Sequence, residues 1–440
     1  MSNPFTQFYK KNVNERKDVL KSLTLFDEAL DIHAGDHTFN HIIENYITTY
    51  EVPLGIAPDF LIEGQKYHIP MATEEPSVIA GAAHAAKIIE RNGGFKIESI
   101  SREMIGQIIF KNIKDQETFK NTLLGIETKI FELAKIAHPQ IHELGGGLRS
   151  YRVEIKEHNF VTLYATIDTL DAMGANTINT ILERIAKYVE STYQVETLMS
   201  ILSNLAVSSV VKASVLLDPK TLKFSDKIAE SIHQAYLYAS IDPYRAATHN
   251  KGIMNGITAL MLATGNDTRA IESGAHAYAS ITGKYLPLTK WEVIDGMIKG
   301  TIEIPLALGT VGGSMGVLPK AKLARKILNV SSAKELMKVA ACLGLAQNFA
   351  AIYALTTDGI NKGHMRLHAR NIAISAGAKD DQIEAVIQYM IDRNTITLDT
   401  AKAYLTKNPS LWRILFFIFQ NQDIFHEITS LHLTYCLSLQ

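Results

Sequence analysis

Apolar residues recur with helical spacing directly after a polar, glycine-containing block at 171–179 (Asp-Ala-Met-Gly-Ala-Asn-Thr-Ile-Asn). The spacing i, i+3, i+4, i+7 and i+11 predicts an amphipathic helix. Its apolar positions are Ile178, Ile181, Leu182, Ile185 and Val189. A helix N-terminus presents free N–H groups and the positive end of the helix dipole, which favour an anion such as a phosphate. The alternative is an ordinary helix start in which Asp171 or Asn176 is the cap.

The stretch from about 103 to 217 alternates between strand and helix patterns. Strands are predicted at 104–110, 151–155, 160–167 and near 208–216. Two amphipathic helices separate them, 175–191 and a long helix whose apolar face is Phe119, Leu123, Ile126, Ile130 and Leu133. The order β-α-β-β-α-β is that of a ferredoxin-like module, an antiparallel sheet with helices on one side. No G-x-G-x-x-G follows a strand, so the sequence does not support a Rossmann cofactor site.

The flanking segments predict a larger, helix-rich domain that the small module interrupts, which makes the fold class α+β. The large domain comprises 1–102 and 204–360. The small ferredoxin-like domain comprises 103–203, with the strand candidate near 208–216 at its boundary. Residues 361–407 predict a separate helical C-terminal piece. The atypical tail, 408–440, contains a run apolar on every face but too short to cross a membrane, which fits a packed extension or an interaction helix.

Composition narrows the class of protein. With 440 residues, 47% hydrophobic and 20% charged, the chain has the make-up of a folded globular protein. A net charge of −1 gives no bulk attraction to nucleic acid or to an anionic membrane. The two cysteines, Cys342 and Cys436, allow neither a disulfide framework nor a cysteine-rich metal site. Because no signal segment and no run approaching about 18 apolar residues is found, we expect a soluble, cytoplasmic protein.

Short blocks with candidate chemistry occur in one order along the chain. They are Glu44-Asn45 with 53–57, 71–77 (Met-Ala-Thr-Glu-Glu-Pro-Ser), 171–176, 245–252 (Arg-Ala-Ala-Thr-His-Asn-Lys-Gly), 263–267 (Ala-Thr-Gly-Asn-Asp) and 363–365 (Gly-His-Met). Over about residues 40–405, these blocks resemble those of 3-hydroxy-3-methylglutaryl-CoA (HMG-CoA) reductases of the soluble class II. The resemblance implies interconversion of HMG-CoA and mevalonate plus CoA by two hydride transfers with a nicotinamide cofactor. It also implies a homodimer or higher homo-oligomer, and no metal ion.

The resemblance assigns four catalytic residues. Lys251 is expected to stabilise the oxyanion, a role that suits a compact ammonium group. Glu75, rather than the adjacent Glu74, is expected to donate a proton to the carbonyl oxygen. Asp267 is expected to stay ionised, keeping Lys251 charged and Glu75 in position. His364 is expected to protonate the departing CoA thiolate, from a C-terminal piece that closes over the substrate as a flap.

The same resemblance implies contacts to the substrate and the cofactor. Arg245, Asn255 and Ser77 are expected at the HMG end, where a guanidinium suits the free carboxylate. The other expected substrate contacts are Asn204, Gln347, Glu44 and Asn45. The residues expected to bind the nicotinamide cofactor are Asp171, Met173, Gly174 and Asn176.

The choice between NADPH and NADH is predicted from His138. In family members that prefer NADH, an aspartate in the helix before the triple glycine binds the adenosine ribose, and such an acid repels a 2′-phosphate. Counting back from 145–147, that position is His138 here, with Lys135 one turn earlier. Since an imidazole brings no fixed negative charge, we predict that NADPH is preferred, with NADH as the alternative. Otherwise, His138 is a helix-end residue without contact to the cofactor.

Two other patterns suggest different functions. Residues 312–316 satisfy G-x-S-x-G, the nucleophile motif of α/β-hydrolases, so a CoA-thioester hydrolase using Ser314 is the alternative function. That motif needs a helix beginning at the serine, whereas the helical pattern here begins later. Three histidines have zinc-face spacing on a helix, but a glycine and an aspartate interrupt that helix, so no metal site is predicted. These histidines are His33, His37 and His41.

Overall fold

The computed structural model describes residues 3–357 and 359–408, and the side chains of Ser314 and of residues 360–367 lie outside this description. Within it, the chain divides into two compact units, Met1–Thr357 and Asp358–Gln440. The helices of the first unit are α1 Val13–Ser22, α2 Gly35–Ile42, α3 Pro76–Arg91, α4 Gln116–Gly125, α5 Glu127–Ala137, α6 Pro139–Glu143, α7 Ala175–Tyr193, α8 Ser225–Ile241, α9 Pro243–Thr264, α10 Thr268–Ala279, α11 Pro319–Leu328 and α12 Ala333–Thr356.

The strands of the described residues form three sheets. Their bounds are β1 Leu54–Ile62, β2 Gln65–Ala72, β3 Lys96–Ile100, β4 Met104–Lys111, β5 Gly147–Lys156, β6 Phe160–Asp168, β7 Glu196–Leu202, β8 Val210–Leu217, β9 Thr289–Ile294 and β10 Met297–Pro305. The sheets have the orders β1-β2, β3-β8-β10-β9 and β5-β6-β4-β7. The described residues thus combine helices with antiparallel sheets, which confirms the α+β class.

The sheet β5-β6-β4-β7, which belongs to the predicted small domain, has the ferredoxin-like topology that the sequence pattern predicts. Its order β5-β6-β4-β7 is antiparallel throughout, and it is built from the chain order β4-α-β5-β6-α7-β7. The apolar face of α7 packs on the centre of this sheet, at Gly106 of β4. A Cβ at Gly106 would come within 2.6 Å of Leu182 and 2.8 Å of Ile178. All five predicted apolar positions of α7 are buried.

Two details of this module differ from the sequence prediction. The final strand is β7, whereas the predicted segment near 208–216 forms β8 in the neighbouring sheet. β7 is an edge strand with alternating partial exposure, so its apolar pattern is weaker than that of the more buried β8. The predicted long helix is also broken into α4 and α5 at Gly125-Ile126. Glycine has a low helix propensity.

The sheet β3-β8-β10-β9 packs against the helices that carry most candidate site residues. Helices α3, α9 and α12 pack on one another, and α12 also contacts β8 and β10. By length and composition α12 could cross a membrane, although charged and amide residues interrupt its apolar run. In fact 72% of its most apolar window is buried inside the protein. It is therefore the central core helix of the first unit.

The second unit is a small helical bundle. It comprises α13 Ile360–Ser375, α14 Asp380–Asp392 and α15 Leu398–Lys407. Side chains from all three helices form its core, which consists of Ala369, Ala373, Val386, Ile387, Met390 and Ala401. The sequence analysis predicted a helical piece over this segment.

Candidate active site

Glu75 sits where β2 gives way to α3. It is the N-cap residue of α3, and Pro76 occupies the first helical position, where a missing N–H costs nothing. The Glu75 carboxylate does not cap its own helix. It accepts a hydrogen bond from Ser77 Oγ at Oε1, 2.8 Å away, while Glu74 is exposed. The helix start thus presents a carboxylate with one oxygen already oriented by a neighbouring hydroxyl.

Lys251 on α9 reaches the same carboxylate. Its Nζ lies 3.3 Å from Glu75 Oε2, with 64% of the lysine side chain and 35% of the glutamate side chain exposed. Helix α9 begins at Pro243, where the Asp242 carboxylate accepts the N–H of Arg245. The structure therefore brings Glu75, Ser77 and Lys251 together from positions far apart in the sequence.

Arg245 lies on the same helix as Lys251, and its positive charge has no partner among the described residues. Its guanidinium makes no hydrogen bond or ion pair with any described residue, and burial alone lowers its pKa. Asn255, one turn after Lys251, is partly buried. A partly desolvated guanidinium without a carboxylate partner is suited to a bound anion.

Two buried side chains just before Lys251 fix the position of α9. The Asn250 amide donates to Leu286 O and accepts from Leu288 N–H, each at 2.9 Å. His249 Nε2 lies 2.5 Å from Thr289 Oγ1. Sequence reasoning assigned no function to these two residues, since a buried polar residue in a helix has no distinct sequence signal.

Asp267 has local partners in this chain. It is the N-cap of α10, and its Oδ1 accepts the N–H groups of Arg269 and Ala270 at 3.0 and 3.1 Å. Among the described residues its ion pair is with Arg269, so the expected contact with Lys251 is not formed within one chain. A carboxylate directly before a helix is drawn to the free N–H groups of the first turn.

The neighbouring Asn266 connects this helix start to the predicted cofactor loop. Its Oδ1 accepts the Gly309 N–H at 2.8 Å. A Cβ at Gly309 would lie 2.6 Å from Met173 N and 2.9 Å from Asp171 O, so only glycine permits this approach. The backbone at Gly309 therefore lies between the Asn266-Asp267 turn and the loop at 171–174 and contacts both.

The remaining expected substrate residues are more dispersed. Gln347 of α12 is buried between α3 and α9, next to Gly81 and Gly256, and its Oε1 has no hydrogen-bond partner in the described structure. The Asn204 side chain is exposed, while its carbonyl oxygen packs on Gly274 of α10. Glu44 and Asn45 lie in an exposed segment after α2, and no described contact links them to Lys251.

Asp171 supports the predicted cofactor loop from within. Its carboxylate accepts the N–H of Ala333 at the start of α12, 2.7 Å away. The buried Arg102 donates to the carbonyl oxygens of Leu170 and Ala172, at 2.5 and 2.6 Å. Burial is the largest influence on Arg102 and lowers its pKa, against the attraction of the nearby Asp171 and Asp168. Sequence reasoning missed Arg102, which lies far from the loop in sequence.

The N-terminus of α7 is left without a side-chain cap. Gly174 is the N-cap residue at φ 96°, and neither Asp171 nor Asn176 caps the helix. A Cβ at Gly174 would lie 2.2 Å from Thr169 Cγ2. Both the positive φ and this close contact therefore require glycine. Met173 is partly buried and Asn176 exposed. An uncapped helix start with a glycine entry is suited to an anion.

His138 contacts this helix start. It lies between α5 and α6, with Nε2 3.4 Å from Thr177 Oγ1 in the first turn of α7, and its Nδ1 has no described partner. His142, one turn later, has a buried Nε2 without a described partner. Burial is the largest of the effects that lower the His142 pKa, followed by Lys135 and Arg149. His138 thus lies beside the first turn of α7, and the cationic Lys135 and Arg149 are close enough to influence the neighbouring His142.

The side chains of His364 and Ser314 lie outside the described residues, although His364 falls within α13. The segment around Ser314 is a short 3-10 turn, Gly313–Gly316, and the next helix begins only at Pro319. This agrees with the expectation that no helix begins at the serine. Helix α2 begins at Gly35, which leaves His33 outside it, and the described residues contain no group of three or more potential metal ligands.

These features define a class of protein. A lysine and a glutamate held in contact by α9 and the start of α3 can stabilise an oxyanion and move a proton. A helix start open to an anion, one backbone segment away from Asn266-Asp267, fits a phosphate-bearing cofactor. The arrangement is that of an enzyme acting on a carbonyl group with a bound cofactor.

Comparisons with known proteins agree with this description. The sequence model of the hydroxymethylglutaryl-coenzyme A reductase family matches residues 12–369. The 3-hydroxy-3-methylglutaryl-coenzyme A reductase of Archaeoglobus fulgidus is 44% identical over 416 residues, covering 92% of this chain and 95% of that protein. A probable reductase of the same name from Borreliella burgdorferi is 39% identical, covering 83% of this chain and 85% of its own length. The chain belongs to the HMG-CoA reductase family.

Solved structures support the same assignment. The Streptococcus pneumoniae HMG-CoA reductase superimposes with a TM-score of 0.78 at 39% identity, covering 92% of this chain and 99% of that chain. A structure described as the class II enzyme of S. pneumoniae bound to NADPH in open conformations has a TM-score of 0.77 at 40% identity, covering 80% of this chain and 100% of that chain. The predicted family is therefore confirmed.

Proposed function

We propose that this protein is a class II HMG-CoA reductase that interconverts HMG-CoA and mevalonate plus CoA with NADPH. The observation that carries the proposal is the contact between Lys251 and Glu75, with Ser77 on the other carboxylate oxygen. On the lysine helix, the Arg245 guanidinium has no partner among the described residues. Reduction of a thioester needs a fixed positive charge at the carbonyl oxygen and a proton donor beside it. Lys251 and Glu75 supply these two groups.

The roles of the chain's residues follow from this geometry and from the family. Lys251 stabilises negative charge on the carbonyl oxygen, and Glu75 delivers a proton to it, with Ser77 holding the carboxyl group. Arg245, with Asn255 nearby, binds the free carboxylate of the HMG group. Asn204, Gln347, Glu44 and Asn45 are proposed to line the rest of the thioester site. Asp267 is proposed as the ionised partner of the lysine–glutamate pair across the subunit interface, because within one chain its carboxylate pairs with Arg269.

Residues of the small domain fit a dinucleotide. The α7 N-terminus, with Gly174 as its entry, offers unpaired N–H groups to a phosphate. Met173 and Asn176 face the same turn, and Asp171 keeps the loop in place from α12. We propose NADPH as the preferred cofactor, because His138 brings no fixed negative charge beside the first turn of α7. When bound, the reduced nicotinamide supplies the two hydrides that each HMG-CoA requires.

The assembly and domain division remain part of the proposal. Strongly exposed apolar residues, up to 92% at Tyr50 and 86% at Tyr244, occur beside Glu44-Asn45 and beside Arg245. Covering them in a homodimer would remove apolar surface from water next to the proposed site. We propose a soluble, cytoplasmic homodimer with a large domain of 1–102 and 204–360, a small domain of 103–203, and a flap of 361–407.

The decisive assay separates reduction from hydrolysis. Purified protein should oxidise NADPH only when HMG-CoA is present, with thiol released in proportion. The hydrolase alternative with Ser314 as nucleophile predicts thiol release without any loss of NADPH absorbance. That second outcome would refute the proposed function.

The role of His364 has a test of its own. If His364 only protonates the departing CoA thiolate, His364→Gln should slow thioester reduction by about 100-fold or more but leave reduction of supplied mevaldehyde nearly unchanged. The exposed His368 provides the matched control, His368→Gln, which should change neither rate. Equal losses on both substrates would show that His364 has a different role.

A further inference from the structure

His249 lies on α9 between two proposed site residues, one turn after Arg245 and two positions before Lys251. Its side chain is buried, with 1% of the residue exposed. Burial, and secondarily Arg245, lowers its pKa to about 3, so the imidazole is neutral at physiological pH. A neutral imidazole has one N–H donor and one lone-pair acceptor, and its neighbours decide which nitrogen is which.

A chain of buried hydrogen bonds decides the tautomer. Trp291 Nε1 can only donate, so the Asn348 atom it meets at 2.8 Å is the amide oxygen. Thr289 Oγ1 lies 2.9 Å from that same oxygen and must donate its hydroxyl hydrogen there. The Thr289 oxygen is then the acceptor for His249 Nε2. His249 therefore carries its proton on Nε2 and a lone pair on Nδ1.

That lone pair has no partner in the described structure, and neither does the guanidinium of Arg245. The two residues are spaced i, i+4, which places their side chains on the same face of α9. A buried acceptor without a donor and a partly buried donor group without an acceptor each carry a desolvation cost. A hydrogen bond between them would satisfy both groups.

We propose that His249 is a positioning residue: its Nδ1 accepts a hydrogen bond from Arg245 and so directs the remaining guanidinium donors at the free carboxylate of the bound substrate. This inference rests on the proposed function, because it assigns that carboxylate to Arg245. The chain Trp291–Asn348–Thr289 keeps the lone pair of His249 on Nδ1 and so keeps that nitrogen an acceptor.

Two substitutions test the roles of the two nitrogens of His249 separately. In His249→Gln the amide nitrogen takes the place of Nε2–H, so the bond to Thr289 is retained and the Nδ1 acceptor is lost. We expect KM for HMG-CoA to rise about fivefold to tenfold, with kcat changed less than about twofold and KM for NADPH unchanged. In His249→Asn the amide lies near the Nδ1 position, so the acceptor is retained and the bond to Thr289 is lost. For this variant we expect a clear fall in melting temperature and little change in KM for HMG-CoA.

A matched control and a double mutant complete the test. His233, whose Nδ1 contacts the Trp291 carbonyl oxygen at 2.8 Å, serves as a histidine near the same network, and His233→Gln should leave KM for HMG-CoA unchanged. If His249 acts through Arg245, His249→Gln should add nothing to KM in an Arg245→Lys background. An equal rise in both backgrounds, or no rise in the wild-type background, would overturn the inference. A wild-type protein that fails to reduce HMG-CoA would instead overturn the proposed function and this inference with it.

Discussion

The proposed thioester site on α9 and the proposed cofactor loop before α7 present chemistry in opposite ways. On α9 the reactive groups are side chains, Lys251 and Arg245, and buried side chains of the neighbouring residues hold the helix in place. At α7 the proposed ligands are backbone N–H groups, and the polar side chain of the motif, Asp171, turns inward to Ala333. In the proposed function, motif side chains therefore act as ligands in one region and as supports in the other.

This difference determines which substitutions are informative. In the α9 region, removing a charged group should affect the reaction while the fold persists, because Lys251 is largely exposed. In the α7 region, the critical residue has no side chain at all. Changing it should affect cofactor binding and stability together, because backbone conformation is the binding feature.

The largest effect is expected at Lys251. Lys251→Met removes the charge at the carbonyl oxygen and should reduce kcat for HMG-CoA by about 1,000-fold or more, with little change in melting temperature. Steady-state NADPH oxidation and thermal unfolding measure the two quantities. Lys227→Met, which changes an exposed lysine of α8, is the control. A kcat within tenfold of wild type would exclude Lys251 from the reaction.

Gly174→Ala should have the next largest effect. The substitution forces a side chain into positive φ and within 2.2 Å of Thr169. We expect KM for NADPH to rise by about tenfold or more, together with a clear fall in melting temperature.

Gly283→Ala separates the strain of a positive φ from the contact with Thr169. Gly283 has a similar φ of 85° but nothing within 4 Å of an added Cβ, so this control should cost only about 1 kcal/mol of stability and leave KM for NADPH unchanged. If the two variants behave alike, the contact with Thr169 is not what shapes the cofactor loop.

Cofactor choice tests the α7 region further. His138→Asp places a carboxylate beside the first turn of α7, where it should repel the 2′-phosphate of NADPH. The ratio of kcat/KM for NADPH to that for NADH should fall by about tenfold, or about 1.4 kcal/mol. His158→Asp, in an exposed turn, should leave the ratio unchanged. A wild-type preference for NADH of tenfold or more would show that His138 does not set the choice.

The last effect concerns stability rather than catalysis, namely the acid stability of the α9 region. The folded-state pKa of His249 is about 3 against a usual value of 6.5, so below pH 6.5 the unfolded chain binds a proton that the folded protein does not. His249 therefore makes the free energy of unfolding decrease as pH falls, by up to about 1.4 kcal/mol per pH unit between roughly pH 6 and pH 4.

His249→Gln should flatten this dependence. The free energy of unfolding, measured by denaturant titration at several pH values, should decrease less steeply for the variant than for wild type over this interval. Other histidines with lowered pKa, such as His68 and His84, contribute equally to both proteins. Parallel curves would show that His249 is not buried in the neutral form.

Much of the fold was predictable from local pattern. The amphipathic helix α7, the ferredoxin-like order and the C-terminal helices all follow from apolar spacing, because each element buries one continuous face. The edge strand β7 was not predictable, since an edge strand that buries little carries a weak pattern. The break at Gly125-Ile126 was missed because the apolar face continues across it, from Leu123 to Ile130.

The sequence by itself determined the family and the kinds of residue that carry the chemistry, because short motifs record which side chains a reaction needs. Tertiary structure alone decided which of them meet. It joined Lys251 to Glu75, gave Asp171 a supporting role at α12, and left Asp267 with its own helix. It also fixed the tautomer of His249 through Trp291 and Asn348. These outcomes depend on distances between segments remote in sequence, and burial makes each unpaired polar group costly enough to select one arrangement.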